Sequence, residues 1–285
     1  MSPRSYVVTG ASTGIGRACV DALACTGAHV WASVRTDADE EALRRDHPDT
    51  VTVLRMDVTD ADSVTAAGHR VLAAGPLAGL VNNAGVALPA PLEHIPIEVF
   101  RRQLEVNLIG QLAVTQAMLP AIRTARGRIV LISSIGGRVA LPFTGAYHAA
   151  KWGLEAVGDS LRQELAPWGI RVSLIEPGSI DTPIWERGEA SADQTLAGSP
   201  RMREIYGPSI ERYRKVIRDT AARGIPPDKV AVKIQHALEA RRPRTRYLVG
   251  IDARVQARLT PLLPTPLVDR IVAAFMGFPK PPDPQ

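Results

Sequence analysis

Short apolar runs alternate with helical segments along most of this chain, and this alternation constrains the fold more than any other sequence feature. Each run is short enough to be a strand, and helical segments stand between most of the runs. Such an order is typical of a parallel sheet covered by helices on both faces. The predicted strands are residues 6–8, 30–34, 51–55, 79–81, 128–133, 172–175 and, late in the chain, 247–249.

A chain of 285 residues can form one large domain of this class, because single α/β domains often reach that length. We expect a doubly wound, Rossmann-type α/β sheet in residues 1–250 and a helical C-terminal extension in residues 251–285. A long helical region is predicted for 96–126, as two helices that meet near Asn107. Residues 144–165 are predicted to form a further helix.

The regular alternation fades after Pro177. Residues 181–208 are rich in Gly, Ser, Ala and Pro and are too long for an ordinary connection, so we expect a substrate lid at about 181–224. The spacing of Ile210, Tyr213, Ile217 and Ala221 predicts an amphipathic helix within it. The tail is predicted to form an apolar helix at about 267–275 and to end disordered in PKPPDPQ.

The net charge of +5 is concentrated in one part of the chain. Residues 201–258 contain 15 Lys and Arg against six Asp and Glu. Such a region can bind nucleic acid or an anionic membrane surface. Because no pattern of a nucleic-acid-binding module accompanies it, we interpret it as a solvated helical face and expect no nucleic acid partner.

Cys19 and Cys25 lie six positions apart in a predicted helix, a spacing that does not place them side by side. We expect both to be small core residues in a reducing compartment, without a disulfide, and we predict no metal site. The N-terminus runs almost directly into the first strand and leaves no room for a signal peptide. These features together predict a cytoplasmic protein.

A glycine-rich turn follows the first predicted strand. Gly10, Gly14 and Gly16 stand in the segment TGASTGIG, where the next helix begins. Glycine lets the backbone approach a pyrophosphate and donate N–H groups to it, and the N-terminus of a helix favours the anion. The spacing differs from GxGxxG, so an ordinary tight turn is the alternative.

With the segment NNAG at 82–85 added, the sequence resembles the short-chain dehydrogenase/reductase family over about residues 5–182. The resemblance implies a nicotinamide dinucleotide cofactor, held by the glycine turn, by the end of the third strand and by EPGSIDT after the sixth. Asp57 has an alternative interpretation as a helix N-cap, and Thr182 as part of a plain strand-to-helix turn. The expected cofactor contacts are Gly10, Ser12, Thr13, Gly14, Ile15, Gly16, Arg35, Asp57, Val58, Asn83, Ala84, Gly85, Tyr147, Lys151, Pro177, Gly178, Ile180 and Thr182.

The end of the second strand bears on the choice of cofactor. Relatives that prefer NAD(H) place a carboxylate there, which accepts a hydrogen bond from the ribose 2′-OH and would repel a 2′-phosphate. Here the position is Val34, followed by Arg35, whose guanidinium can bind a phosphate with two hydrogen bonds. Asp37 lies close enough to leave the alignment open. We expect NADP(H), with NAD(H) as the alternative.

Tyr147 and Lys151 are spaced i, i+4 in a predicted helix, so their side chains share one face. Such a pair is commonplace by itself. Ser134 stands at the end of the fifth strand, at the same edge of the sheet as the glycine turn. The order Ser134, Tyr147, Lys151 matches the family's Ser-Tyr-Lys arrangement, and Asn107 in LEVNLIG matches its fourth catalytic residue. The resemblance further implies that Lys151 binds the nicotinamide ribose and that Asn107 holds a water in a proton relay.

These residue types suit the interconversion of an alcohol and a carbonyl. Hydride transfer to a ketone leaves an oxyanion that needs a proton, and a free tyrosine, with a pKa of about 10, is poorly matched to neutral pH. Lowering that pKa to about 7 requires about 4 kcal/mol. One cation about 4 Å away supplies a similar energy at an effective dielectric constant near 20. We therefore expect Lys151 to lower the pKa of Tyr147, and Ser134 to donate a hydrogen bond to the substrate oxygen.

Two neighbours compete with these assignments. Ser133 precedes Ser134, but alternation along a strand points the two side chains to opposite faces, so only one should reach the site. His148 follows Tyr147 and points about 100° away around the helix, so we interpret it as a packing or substrate-contact residue and not as a base.

The stretch SSIGGRVALPFTGAY and the extension with TRYLVGIDA resemble the steroid- and retinol-dehydrogenase branch of the family. This resemblance implies a bulky apolar alcohol or ketone as substrate. Two alternatives remain: the same chemistry on a small or acyl-chain ketone, and a cofactor-binding regulator without activity. The intact Ser-Tyr-Lys-Asn set argues against the regulator. Either pocket lining or core packing accounts for the apolar residues Val139, Leu141, Pro142 and Phe143.

Relatives commonly assemble through the helices that correspond here to 107–126 and 144–165, so we expect a homodimer or homotetramer. The apolar tail at 255–278 has three interpretations. It covers the pocket, makes a peripheral contact with a membrane surface, or packs on a partner subunit.

Overall fold

The computed structural model describes residues 4–197 and 200–276, and in them a single seven-stranded sheet in which all neighbours are parallel. The strand order is β3-β2-β1-β4-β5-β6-β7, so the direction of winding reverses between β1 and β4. The predicted doubly wound sheet is confirmed, including its late seventh strand. The strands are β1 Ser5–Val8, β2 His29–Val34, β3 Val51–Arg55, β4 Gly79–Asn82, β5 Arg128–Ile132, β6 Arg171–Pro177 and β7 Arg246–Val249.

Apolar side chains of the central strands are buried on both faces of the sheet. In β5, Val130 and Ile132 belong to the core on one face, whereas Ile129 and Leu131 belong to the core on the other. Successive residues of a strand point to opposite faces, so a strand covered on both sides needs a continuous apolar run. This is why these segments show no polar alternation.

Helices cover both faces. The first core contains residues of α1 and α9, and the second contains residues of α3, α5 and α6. The helices are α1 Gly14–Ala24, α2 Asp37–Asp46, α3 Ala61–Ala74, α4 Ile97–Leu104, α5 Gly110–Ala125, α6 Gly145–Leu165, α7 Ile184–Ala197, α8 Pro200–Ala221, α9 Pro227–Glu239, α10 Ile251–Leu259 and α11 Thr265–Met276.

The segment after β6 is more regular than the sequence predicted. An irregular stretch was expected up to residue 208, but α7 and α8 occupy most of it, and α8 contains Pro208. Pro200 stands at the first position of α8, where the missing N–H of proline costs nothing. Met202, Ile210 and Tyr213 of this helix pack against Phe143, which stabilises it through contacts distant in sequence.

Two other expectations concern the ends of elements. Cys19 is buried in α1, but Cys25 is exposed, because α1 ends at Ala24 and the chain then leaves the core through Gly27. The prediction that both cysteines lie in the core was therefore wrong for Cys25.

In the tail, Met276 of α11 packs into the cluster of α8 and Phe143. The predicted disordered end, PKPPDPQ, lies outside the described residues. Among the described helices, none combines the length and apolarity that a bilayer crossing requires.

Candidate active site

A cavity of about 780 Å³ opens where the carboxyl ends of the strands meet the point of reversed winding. This is the usual ligand crevice of an open parallel sheet. The structure brings nearly all of the expected site residues to it, while Gly16 and Asn107 lie outside its lining. The expected residues that line it are Gly10, Ser12, Thr13, Gly14, Ile15, Arg35, Asp57, Val58, Asn83, Ala84, Gly85, Ser134, Tyr147, Lys151, Pro177, Gly178, Ile180 and Thr182.

The turn between β1 and α1 is shaped for a close backbone approach. Gly10 has a φ of +61°, and a Cβ atom on Gly16 would lie 2.1 Å from the carbonyl oxygen of Gly10. Gly16 is thus required for packing inside the turn and does not face the cavity. At the start of α1, Thr13 makes no side-chain cap and the first turn contains no acidic residue. The free N–H groups at this helix start fit the pyrophosphate of a dinucleotide.

Hydrogen bonds tie the glycine turn to the segment after β4. The Thr9 hydroxyl accepts from the backbone N–H groups of Asn83 and Ala84, at 2.9 Å each. In return, the Asn83 side-chain amide donates to the carbonyl oxygens of Thr9 and Gly10, at 3.0 Å each. The NNAG segment therefore holds the glycine turn in position from the opposite side of the reversal point.

At the other end of the crevice, the structure separates Arg35 from Asp37. Arg35 lines the cavity and its side chain is 61% exposed, with Nη1 3.8 Å from Oδ2 of Asp57. Asp37 points elsewhere: its Oδ1 lies 2.9 Å from Nη1 of Arg55, and it does not line the cavity. Of the two candidates that the sequence left open, Arg35 and not Asp37 therefore lines the cavity at the end of β2, where a cation favours NADP(H) over NAD(H).

Asp57 does not cap the following helix. The cap of α3 is Asp60, which accepts from the N–H groups of Asp62 and Ser63. Asp57 instead accepts from the backbone N–H of Thr59 at 2.9 Å and from its hydroxyl at 2.8 Å. Burial raises the pKa of Asp57, but these hydrogen bonds and the charge of Arg35 outweigh burial and lower it. A fixed carboxylate therefore lines this end of the cavity.

Tyr147 and Lys151 lie on one face of α6 and open into the same cavity as the glycine turn. The Lys151 Nζ atom lies 5.7 Å from the centroid of the Tyr147 ring and donates a hydrogen bond to the carbonyl oxygen of Ile132 at 2.7 Å. Ser134 follows β5, and its hydroxyl accepts from the N–H of Gly136 at 3.0 Å. The end of β5 and the start of α6 thus bring the three side chains together.

The pKa of Tyr147 is shifted in the direction opposite to the expected one. Burial raises it, and a hydrogen bond with Ser134 only partly opposes that effect. Burial also lowers the pKa of Lys151 to about 8, although the charge of Glu155 raises it. Desolvation of both groups is the physical reason, because it penalises the charged form of each. With a pKa near 8, Lys151 is still mostly an ammonium at neutral pH.

Asn107 lies in a π-helical turn, Glu105–Ile109, where α4 passes into α5. This confirms that the two predicted helices meet near Asn107. Its side chain is fully buried: Oδ1 accepts from the N–H of Val86 and Nδ2 donates to the carbonyl oxygen of Val86, both at 2.9 Å. The amide is therefore used to fix the segment after NNAG. A relay water at this position would have to bind the backbone and not this side chain.

The structure also shows what Ser133 and His148, the neighbours of the expected catalytic residues, contact. Ser133 lines the cavity as well, which alternation along the strand did not predict, but Ser134 is the one whose hydroxyl acts on Tyr147 and lowers its pKa. His148 donates from Nδ1 to the carbonyl oxygen of Gly136, and its Nε2 accepts from the N–H of Leu141, both at 2.9 Å. Burial lowers the pKa of His148, so it is a neutral packing residue of the segment before α6.

The wall of the cavity near Tyr147 contains residues that motif reasoning did not single out. Trp185 on α7 lies with its ring centroid 6.1 Å from that of Tyr147. Val139, Leu141 and Pro142 do not line the cavity, and Phe143 packs into the cluster with α8, so the pocket-lining interpretation of these four was wrong for this cavity. The additional lining residues are Ser33, Val34, Thr36, Asp39, Met56, Val86, Ala87, Leu88, Val106, Ile132, Pro183, Ile184, Trp185 and Arg187.

A dinucleotide cradle that ends beside a Tyr-Lys pair defines a class, the nicotinamide-dependent oxidoreductases of the α/β type. The family model for short chain dehydrogenase matches residues 4–193. The chain belongs to this family.

Individual relatives agree with that assignment. An NADPH-dependent 3-dehydrocapnine reductase of Ornithobacterium rhinotracheale is 34% identical, over 94% of this chain and 95% of the relative. Retinol dehydrogenase 16 of Homo sapiens is 37% identical, over 93% of this chain and 86% of the relative. A short-chain dehydrogenase from Burkholderia cenocepacia, solved in complex with NADP, has a TM-score of 0.71 and 26% identity, and the match covers 98% of this chain and 99% of that one.

Proposed function

We propose that this oxidoreductase interconverts an alcohol and a carbonyl with NADP(H), and that Tyr147 gives and takes the proton. The observation that carries the proposal is the position of Tyr147 and Lys151 on α6, facing the cavity whose far side is the glycine turn. When bound, the cofactor would supply or accept the hydride, and its oxidised form would carry a positive charge.

Side chains of the protein position the substrate, transfer the proton and hold the cofactor. The hydroxyl of Ser134 donates to the substrate oxygen and holds it within reach of Tyr147. Tyr147 holds a proton at Oη for the forming alcohol, and Lys151 stabilises the phenolate left behind. Arg35 would bind the 2′-phosphate, and Asp57 would bind the adenine. The helices α7 and α8 form the lid of the substrate end, and Trp185 forms its wall.

The preference for NADP(H) rests on Arg35 and on the relatives that carry NADPH or NADP in their descriptions. We expect Arg35→Ala to weaken NADPH binding about tenfold or more and to leave NADH binding nearly unchanged, because only NADPH offers a phosphate to the guanidinium. Fluorescence titration of both cofactors checks this. Arg55→Ala is the matched control, since Arg55 pairs with Asp37 outside the cavity. Equal losses for NADPH and NADH in Arg35→Ala would contradict the preference.

For the substrate, we propose a bulky apolar alcohol or ketone of the steroid or retinoid kind. Leu88, Ile184 and Trp185 supply apolar lining to the cavity, Trp185 beside Tyr147, and retinol dehydrogenases are among the relatives. The second candidate is an acyl-chain or small ketone, supported by the reductases among the relatives. NADPH oxidation against steroid, retinoid and β-keto substrates separates the two candidates.

Assembly and membrane contact are proposed as well. Ile109 and Trp152 lie in the two segments expected to mediate assembly, 107–126 and 144–165. Each is about half exposed, which supports a homodimer or homotetramer. The tail helices expose Ile251, Leu262 and Phe275, which supports a peripheral contact of a cytoplasmic protein with a membrane surface. Sedimentation velocity measures the first, and flotation with anionic vesicles measures the second. A monomer at all concentrations, or no flotation, would contradict the respective proposal.

A further inference from the structure

The face of α6 that carries Tyr147 and Lys151 continues to Glu155, one helical turn further on. The Glu155 side chain is only 12% exposed. A Cβ atom on Gly137 would lie 3.0 Å from Cγ of Glu155, so the turn after β5 closes over this carboxylate and leaves no room for another side chain. Three ionisable groups thus follow one another along a buried helix face.

Glu155 is held by a cation from the far edge of the sheet. Arg246 of β7 places its Nε 3.1 Å from Oε2 of Glu155, 3.3 Å from Oε1 of Glu176 on β6, and its Nη2 2.8 Å from Asp159. Glu176 is fully buried and also pairs with Arg138, whose Nη2 donates to its Oε1 at 2.9 Å. Asp159 also pairs with Arg162, whose Nη2 lies 3.1 Å from its Oδ1. The six side chains form one connected network, which we call the α6 charge network.

The network carries as many cations as anions. It contains three carboxylates, those of Glu155, Asp159 and Glu176, and three guanidinium groups, those of Arg138, Arg162 and Arg246. Burial and the charge of Glu176 raise the pKa of Glu155, whereas the hydroxyl of Ser133 and the guanidinium of Arg246 lower it. The ammonium of Lys151 is a further buried cation one helical turn from Glu155, and removing the charge of Glu155 would remove the nearest carboxylate on that helix face.

Lys151 depends on a nearby carboxylate because its other surroundings are apolar or neutral. It is 4% exposed, and among the described residues its Nζ finds one hydrogen-bond acceptor, the carbonyl oxygen of Ile132. The other ionisable groups on this part of α6 are Tyr147 and His148, and His148 is kept neutral by burial. Burial lowers the pKa of Lys151 to about 8, and the charge of Glu155 acts against this effect.

We propose that Glu155 is a positioning residue, whose carboxylate, fixed by Arg246, keeps Lys151 protonated beside Tyr147. The consequence for turnover rests on the proposed function, whereas the titration of Lys151 can be measured without any substrate. Glu155 touches neither the cavity nor the reacting atoms, so its effect passes through Lys151.

The chain makes the direct measurement simple, because it contains five lysines. In protein labelled with 13C at the lysine ε-carbon, five signals are followed from pH 6 to pH 11, and the signal missing in Lys151→Met identifies Lys151. We expect Glu155→Gln to lower the midpoint of Lys151 by about one pH unit or more, because it removes a carboxylate one helical turn away in a mostly buried setting. Asp159→Asn is the matched control: it also removes a partner of Arg246, but one turn further from Lys151, and the midpoint should stay within about 0.3 units.

The pH profile of turnover gives a second readout. Carbonyl reduction needs both the Tyr147 proton and the Lys151 charge, so kcat/KM falls as the pH rises through their coupled titration. In Glu155→Gln this fall should begin about one pH unit lower, because the Lys151 proton is lost earlier. Glu155→Asp, which retains the charge, should recover most of the wild-type profile. A purely structural role would lower turnover or thermal stability at all pH values without moving the profile.

An unchanged Lys151 midpoint in a folded Glu155→Gln protein overturns the inference, and so does an equal shift in Asp159→Asn. If thermal unfolding shows that Glu155→Gln does not fold, Glu155→Met, which keeps the volume and removes the charge, takes its place with the same expected shift. A shifted midpoint together with no turnover on any carbonyl supports the role of Glu155 and counts against the proposed function alone.

Discussion

The Tyr147→Phe variant is expected to bind NADPH with unchanged affinity and to lose about 10²–10⁴-fold in kcat, the usual contribution of a positioned proton donor. Tyr147 is 8% exposed, and phenylalanine preserves its packing while removing only the hydroxyl. Stopped-flow reduction of the best carbonyl from the substrate screen measures kcat, and fluorescence titration measures cofactor affinity.

Tyr213→Phe is the control for that experiment, because Tyr213 is a second buried tyrosine and does not line the large cavity. It should retain turnover close to that of the wild type. If Tyr147→Phe also turned over normally, another group would have to supply the proton, and His148, neutral and doubly hydrogen bonded, is not available for it.

The Lys151→Met variant is expected to lose about 10³-fold in kcat, because removing the ammonium forfeits roughly 4 kcal/mol of phenolate stabilisation. Burial already raises the pKa of Tyr147, and Lys151 is the cation that lies over its ring. Cofactor affinity should also fall, by about tenfold, through the lost contact with the ribose.

Lys151→Arg distinguishes charge from shape in this test. Arginine restores the positive charge but not the hydrogen bond of Nζ to Ile132, and a partial recovery of kcat is therefore expected. Equal kcat values for the methionine and arginine variants would mean that Lys151 acts by packing, and unchanged turnover and binding in Lys151→Met would contradict both of its proposed roles.

Sequence patterns were sufficient for the sheet because its strands are buried on both faces. A run such as that of β5 contains nothing but core residues between Arg128 and Ser133. They were insufficient for the N-terminal half of α8, which is stabilised by the contact of Met202 with Phe143, 59 positions earlier in the sequence. Contacts of that kind leave no periodic signal in the segment itself.

The same distinction applies to the site. The spacing of Ser134, Tyr147 and Lys151 predicted that they would share one mouth of the sheet, because a strand end and a helix face follow from local rules. The direction of the pKa shift of Tyr147 did not follow, since desolvation depends on how completely other elements enclose α6. Arg246, 91 positions from Glu155, belongs to no motif, and only the closing of β7 against β6 brings the two together.

The two halves of the crevice are built from different parts of the chain. The half that contains the glycine turn consists of turns at the ends of the strands. These turns are hydrogen bonded to one another, for example through Thr9 and Asn83. The end near Tyr147 is lined by the loop residues Val86–Leu88 and by Ile184 and Trp185 of α7. The helix that α7 contacts most is α8. Exchanging side chains on this one helix is therefore expected to change the shape of that end of the cavity, without altering the glycine turn or the face of α6 that carries Tyr147 and Lys151.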